Sequence, residues 1–290
     1  MPLNGVKQKT GEDNNIELPK MLIKKRKAFS LVELLVVISI IALLLSVLMP
    51  VLAMARFQGR ATVCKSNIRQ LFLANTGYAM ENNYFYVPAA SDMWLPLDMF
   101  RGGFHRWHGV RKKADEPFDP LKGPLAGYLA DGKVKECPEK NNFIKDQTSF
   151  EKGCGGYGYN MTYIGSRFGQ VGVEWNEMYE QTAGMSDVKS TAQTIMFADC
   201  AFINSNQSLI EYSFAEPPFT VYDGQLITSF YMSPSIHFRH QNKANVAWVD
   251  GHISSEMMTK VNKKDANLTR YASLQLGWFG PLDNSLFDLK

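Results

Sequence analysis

Between Phe29 and Met49 the chain carries one charged residue, Glu33, and the stretch is preceded directly by the basic cluster Lys24-Lys25-Arg26-Lys27. A helix rises about 1.5 Å per residue and needs about 20 apolar residues to cross a hydrocarbon core of about 30 Å, so this segment is long enough to span a bilayer. A secretory signal peptide has a shorter apolar core, roughly 7–15 residues, followed by a small-residue cleavage site. Here the chain reads on as Pro50-Val51-Leu52-Ala53-Met54-Ala55-Arg56, with no Ala-x-Ala-like site. The cations ahead of the span predict a cytoplasmic leader and an extracytoplasmic C-terminal bulk. Glu33 needs a reason to be there, because ionisable side chains at mid-helix cost roughly 2.5–3.5 kcal/mol on insertion scales, and less toward a helix end.

Phe29-Ser30-Leu31-Val32-Glu33, placed between a basic leader ending in Ala28 and an apolar helix, resembles the N-termini of type IV prepilins and type II secretion pseudopilins. The five residues follow that pattern; Ala28 departs from it, standing where the family usually has glycine. The resemblance implies cleavage by prepilin peptidase between Ala28 and Phe29 and methylation of the new Phe29 amine. It also implies that Glu33 guides docking onto other pilin-like subunits, pairing with its own or a neighbour's amine. The protein is then expected as a single-pass resident of the bacterial inner membrane, or in a pilus-like filament.

Composition agrees with an exported chain. Residues 1–28 hold seven Lys/Arg against three Asp/Glu, so removing these four net positive charges from a +3 chain leaves −1. Such a chain exerts no general pull on nucleic acid. The remaining length allows one or two domains. Cys64, Cys137, Cys154 and Cys200 would face an oxidising compartment. A Cys137–Cys154 bridge closes the shortest loop, a Cys64–Cys137 bridge would tie helix to sheet, and spacing does not choose between them; either would contribute roughly 2–4 kcal/mol. No Cys-x-x-Cys pair points to zinc, and no metal site is expected from the cysteines.

The helix is expected to run over 29–82. Pro50 is tolerable inside a membrane helix. Ile68, Leu71, Phe72, Asn75 and Tyr78 recur at three- and four-residue steps, and Glu81-Asn82-Asn83 followed by Pro88 should end the helix. Residues 83–290 then form a head. Its aromatic middle, with Trp94, Phe100, Phe104, Trp107 and Phe118, reads as local core, and His105 and His108 are too poorly accompanied to suggest a metal. Strand-like runs fall at 158–164, 194–198, 226–231, 236–239 and 245–249. Asp250-Gly251 is a hairpin signal for a two-residue type I′ turn. The expected fold is therefore α+β: a long N-terminal transmembrane helix packed on an antiparallel sheet, in a pilin-like arrangement.

Cys64-Lys65-Ser66-Asn67-Ile68-Arg69-Gln70-Leu71, Tyr78 and Asn82 to Pro88, together with His240, nine residues and Asp250-Gly251, resemble a narrower class of bacterial pilin-like proteins that carry a C-terminal H-x9-DG signature, here near 237–256. Cys137-Pro138 and Tyr157-Gly158-Tyr159-Asn160 are weaker landmarks of the same class. Some pseudopilins hold calcium near the sheet, and Asp187, Asp199, Asp223 and Asp250 are the loop-like acids available for that. No nucleophile motif or phosphate loop is present, so no catalytic role is expected. The sequence reading is a structural pseudopilin or minor pilin, the alternative being a monomeric membrane-anchored envelope protein that binds a polysaccharide or protein.

Overall fold

The computed structural model describes residues 29–93, 103–113, 116–140, 143, 151–174, 177–204, 206–260 and 265–290. Ala28, Trp94 and Phe100, singled out above, lie outside the described residues. The chain divides into two compact units, Met1–Val51 and Leu52–Lys290, and helix α1, Leu31–Glu81, contributes to both.

In the first unit, α1 opens on a reciprocal cap. The Ser30 N–H donates to Glu33 Oε2 at 2.9 Å, while the Val32 N–H donates to Ser30 Oγ at 3.3 Å. The Leu34 N–H closes the first turn on the Ser30 carbonyl at 3.1 Å. This is a capping box, in which Ser and Glu three residues apart each satisfy a backbone donor that the first turn leaves unpaired. Beyond it, every residue from Leu31 to Val51 is exposed, the large apolar ones included. The hydroxyls of Ser39 and Ser46 donate to the carbonyls of Leu35 and Leu43, both at 2.7 Å, which removes their need for water in an apolar phase.

In the second unit, α1 buries Cys64, Asn67, Ile68, Leu71, Ala74, Asn75 and Ala79, the one-face spacing expected of a helix lying on a core. It stops at Glu81, where Asn83 and Tyr84 enter the left-handed region (φ 52° and 63°) and the Tyr84 N–H reaches back to the Ala79 carbonyl at 2.8 Å. Asn75 then holds the returning chain, its Oδ1 accepting from the Val87 N–H at 3.0 Å.

The strands and the second α-helix among the described residues are β1 (His105–Arg106), β2 (Gly109–Val110), β3 (Tyr157–Tyr159), β4 (Ile195–Asp199), β5 (Phe202–Ile203), β6 (Leu209–Ile210), β7 (Thr220–Tyr222), β8 (Gln225–Ile227), β9 (Ile236–His237), β10 (Lys243–Trp248), β11 (Ile253–Met257), α2 (Ala266–Ser273) and β12 (Leu276–Gly277). The main sheet is antiparallel in the order β11-β10-β4-β3; the other strands form two-stranded pairs. Its two inner strands, β4 and β10, are buried almost throughout, and edge strand β11 is half-exposed. Side chains of β10 alternate. Ala247 joins Ile68, Leu71 and Phe197 in the core under α1, while Ala244, Val246 and Trp248 join Trp278, Phe279 and Phe287 on the other face. The C-terminal segment thus covers the sheet face opposite α1. Trp107 is fully buried, its indole N–H donating to the Ser213 carbonyl at 2.8 Å, so this aromatic of the middle segment is core as expected.

Three strand expectations are corrected. The run at 158–164 leaves the sheet at Asn160, because the Ile164 and Gly165 N–H groups fold back onto the Asn160 carbonyl and the Tyr163 N–H onto its side chain. The run at 226–231 is extended only to Ile227, within the β7–β8 hairpin. The run at 236–239 ends at His237, since Arg239 turns into the buried cluster described below. The hairpin signal at Asp250-Gly251 is realised differently from a two-residue type I′ turn. Gly251 takes φ 90°, Asp250 does not take a positive φ, the Gly251 N–H donates to the Trp248 carbonyl at 2.9 Å, and the Trp248 N–H donates to the His252 carbonyl at 3.1 Å. A three-residue loop with glycine in the left-handed position fits this pattern, and a Cβ at Gly251 would stand 2.6 Å from the Phe72 ring.

Candidate functional site

Cys64, from the buried face of α1, meets Cys137, Asp199 and His240 at the centre of the second unit, with one donor atom of each residue lying within 4.8 Å of the others. Each is delivered by a different element. Asp199 ends β4, and His240 precedes β10 across a tight turn in which Gln241 and Asn242 both take positive φ. Cys137 is held from both sides: its N–H donates to the Gly155 carbonyl at 2.9 Å, and the carbonyl of Glu136 before it accepts from Asn67 Nδ2 at 3.1 Å. Asn67 lies one turn beyond Cys64, so one helical face supplies both a cluster member and the group that fixes its neighbour.

The contacts are close. Cys64 Sγ donates to Asp199 Oδ1 at 3.1 Å, His240 Nε2 lies 3.3 Å from Asp199 Oδ2 and 3.5 Å from Cys137 Sγ. Arg239 completes the group, with Nε donating to Cys137 Sγ at 3.2 Å and Nη2 to Asp199 Oδ1 at 2.7 Å. The Asn245 N–H donates to Asp199 Oδ2 at 2.7 Å. Cys64 and Asp199 are fully buried and Cys137 and His240 nearly so. Burial pushes the Cys64 thiol well up and raises the Asp199 carboxyl in spite of Arg239. The hydrogen bond with Cys64 draws the Cys137 thiol down, against burial and with Arg239 and His240 adding to the effect.

All four cysteines carry free thiols. Cys154 stands apart from the cluster: its thiol donates to Glu211 at 3.6 Å, and the same carboxylate binds Lys140 and accepts from the Gly153 and Gly155 N–H groups. Cys64 and Cys137 are the two cysteines brought together. His240 and Asp250 separate in the same way. His240 is buried in the cluster, whereas Asp250 lies in the β10–β11 turn, where its Oδ1 accepts from the His252 N–H and ring at 3.0 and 2.6 Å. Of the acids weighed for calcium, Asp187 pairs with Arg167 at 2.5 Å, Asp223 sits in the β7–β8 turn, and only Asp199 belongs to a cluster of possible metal donors among the described residues. His105 is exposed beside Asp92 at 3.1 Å, and His108 is buried on Ser213 Oγ at 2.7 Å. At the N-terminus, Phe29 is exposed just before α1 and Glu33 is engaged in the cap.

Sequence reasoning missed Asp199 as a partner of the cysteines, and with it Asn67 and Arg239. The Cys64-x-x-Asn67 spacing and the Arg239-His240 pair were visible, but neither spacing contains its partners.

A model of the prokaryotic N-terminal methylation motif matches residues 23–49. No curated protein and no solved structure matches the chain. The motif, with the exposed apolar helix that follows it, is consistent with membrane anchoring and supports a type IV pilin-like protein that is processed by prepilin peptidase.

Proposed function

We propose that the protein is a structural pseudopilin or minor pilin, a non-catalytic subunit of a type II secretion-like or type IV pilus-like assembly with its head on the extracytoplasmic side. The observation that carries this reading is the joining of a methylation motif to a helix whose apolar side chains are exposed on every side from Leu31 to Val51. Lipid satisfies such a surface while the subunit waits, and like helices satisfy it after assembly through close packing. Glu33 accepts from the Ser30 N–H through Oε2, and in this reading its other carboxylate oxygen pairs with the amine created at Phe29 or on a neighbour. The antiparallel sheet lying on the lower half of α1 is compatible with a pilin-like head, and in this reading His240 and Asp250-Gly251 serve that head as a cluster residue and a turn.

Mass spectrometry of the N-terminal peptide, in cells with and without prepilin peptidase, tests the processing. A peptide starting at methylated Phe29 that disappears without the peptidase is expected; an intact N-terminus in both strains refutes the reading. In-membrane crosslinking then tests assembly. Glu33→Ala is expected to be cleaved normally and to lose subunit–subunit crosslinks; undiminished crosslinking would refute the role of Glu33 in docking, and an unmodified chain that gives no subunit–subunit crosslinks would favour a monomeric anchored binding protein.

A further inference from the structure

We infer that Cys64, Cys137, Asp199 and His240 form a closed structural metal site with the donor set and size for one Zn²⁺ ion. Two thiolates, an imidazole and a carboxylate are the ligands that zinc takes in tetrahedral sites, and four protein ligands leave no open position for chemistry. With Zn–S of about 2.3 Å, Zn–N of about 2.05 Å and Zn–O of about 2.1 Å, a tetrahedral site has S···N and N···O edges of about 3.6 and about 3.4 Å. Two of the site's six edges, Cys137 Sγ to His240 Nε2 and His240 Nε2 to Asp199 Oδ2, measure 3.5 and 3.3 Å, and Cys64 Sγ lies 3.1 Å from the other oxygen of the same carboxylate.

A further observation points the same way. The polar contacts of the His240 ring run through Nε2 into the cluster, which is the nitrogen a metal at its centre would take. Arg239, buried against Asp199 and Cys137, supplies the charge that a zinc site of this composition needs. Zn²⁺ bound by two thiolates, one carboxylate and neutral imidazole sums to −1, and the guanidinium brings the buried group to zero. On zinc uptake the protons held by the thiols pass to solvent, and no oxidation or reduction is involved. Softer Cu(I) selects all-sulfur donor sets, and calcium and magnesium select oxygen. An entry path exists: a cleft of about 270 Å³ lined by Phe57, Ala61, Lys65, Glu139, His240 and Ser255 reaches the histidine.

Such a site would pin α1 to three chain segments in the second unit. It does not depend on filament assembly. The test uses the full chain, extracted from membranes in detergent and purified without chelator or a metal-affinity tag. Elemental analysis should find about one zinc per chain. Alkylation with peptide mapping should find Cys64 and Cys137 protected until a strong chelator is added. Replacement of zinc by Co²⁺ should give thiolate-to-cobalt charge transfer and tetrahedral d–d bands. Arg239→Gln should retain the stoichiometry and bind zinc about 10–100-fold more weakly, His240→Ala should abolish the cobalt spectrum, and Cys154→Ser should leave it unchanged. A disulfide-linked Cys64–Cys137 peptide from the membrane-extracted chain would overturn the inference, as would reduced, folded protein that takes up neither Zn²⁺ nor Co²⁺. Should His240→Ala not fold, metal content and the cobalt spectrum of the unmodified chain decide the question.

Discussion

The buried pair Arg106–Glu151 offers a test in which the two partners should behave differently. Arg106 Nε donates to both Glu151 oxygens at 3.1 and 2.9 Å and Nη2 donates at 2.8 Å, with side-chain exposures of 4% and 1%. Breaking a buried pair costs about 3–5 kcal/mol because one charge is left uncompensated. Arg106→Met strands Glu151, whose three charge-assisted bonds among the described residues come from that guanidinium, so a loss of about 5 kcal/mol is expected. Glu151→Ala leaves Arg106 with Asp92 at 3.8 Å, the His105 carbonyl at 2.9 Å and the Phe118 and Phe214 rings at 5.6 and 5.4 Å from its guanidinium carbon. Its cost should be nearer about 3 kcal/mol. Replacing both partners, Arg106→Met with Glu151→Leu, should cost less than either single change, since no charge remains stranded. Urea titration of the full chain in detergent, followed by tryptophan fluorescence, measures all three. Equal costs for the two single variants, or a double variant that costs their sum, would refute the reasoning.

Gly158→Ala would place a Cβ 2.5 Å from Cys200 Sγ and 2.6 Å from the Phe214 backbone carbonyl carbon; a loss of about 1–3 kcal/mol is expected in the same titration, and wild-type stability would contradict the packing. His108 is held neutral by burial first and then by Arg106 and Arg111, its pKa well below the ordinary histidine value. The unfolded chain therefore takes up a proton below about pH 6.5 that the folded chain refuses, and stability should fall by about 1.4 kcal/mol per pH unit as the pH drops through that window. His108→Gln should remove one proton from the slope, and an unchanged slope would contradict it. Ser30→Ala should weaken the start of α1 by about 1 kcal/mol, read as faster hydrogen exchange of the Val32 and Leu34 amides in micelles.

What could be read in the sequence was local. The apolar span, the helix end at Glu81 and the turn at Asp250-Gly251 each depend on residues a few positions apart, and periodicity or turn chemistry reports them directly. The cluster depends on pairs that meet only through the fold: 135 residues separate Cys64 from Asp199, and 103 separate Cys137 from His240. Spacing rules for metal sites recognise ligands carried on one short motif, and this set is carried on four. The type of the Asp250-Gly251 turn was misjudged for a related reason. Loop length depends on where pairing stops, and the His252 carbonyl accepts the Trp248 N–H, which leaves three residues in the loop.

The cap at Ser30 and Glu33 has a consequence for the order of events in a subunit's life. All the atoms that close the first turn of α1 lie on the C-terminal side of the proposed cut after Ala28, and the Ser30 N–H belongs to the Phe29–Ser30 peptide bond. Leader removal would then neither unravel the helix nor require it to find a new end. A precursor and its product would present the same capped first turn to the membrane, differing in the four net positive charges of the leader and in the new terminal amine, and release into assembly would amount to a change of charge rather than the refolding of a segment.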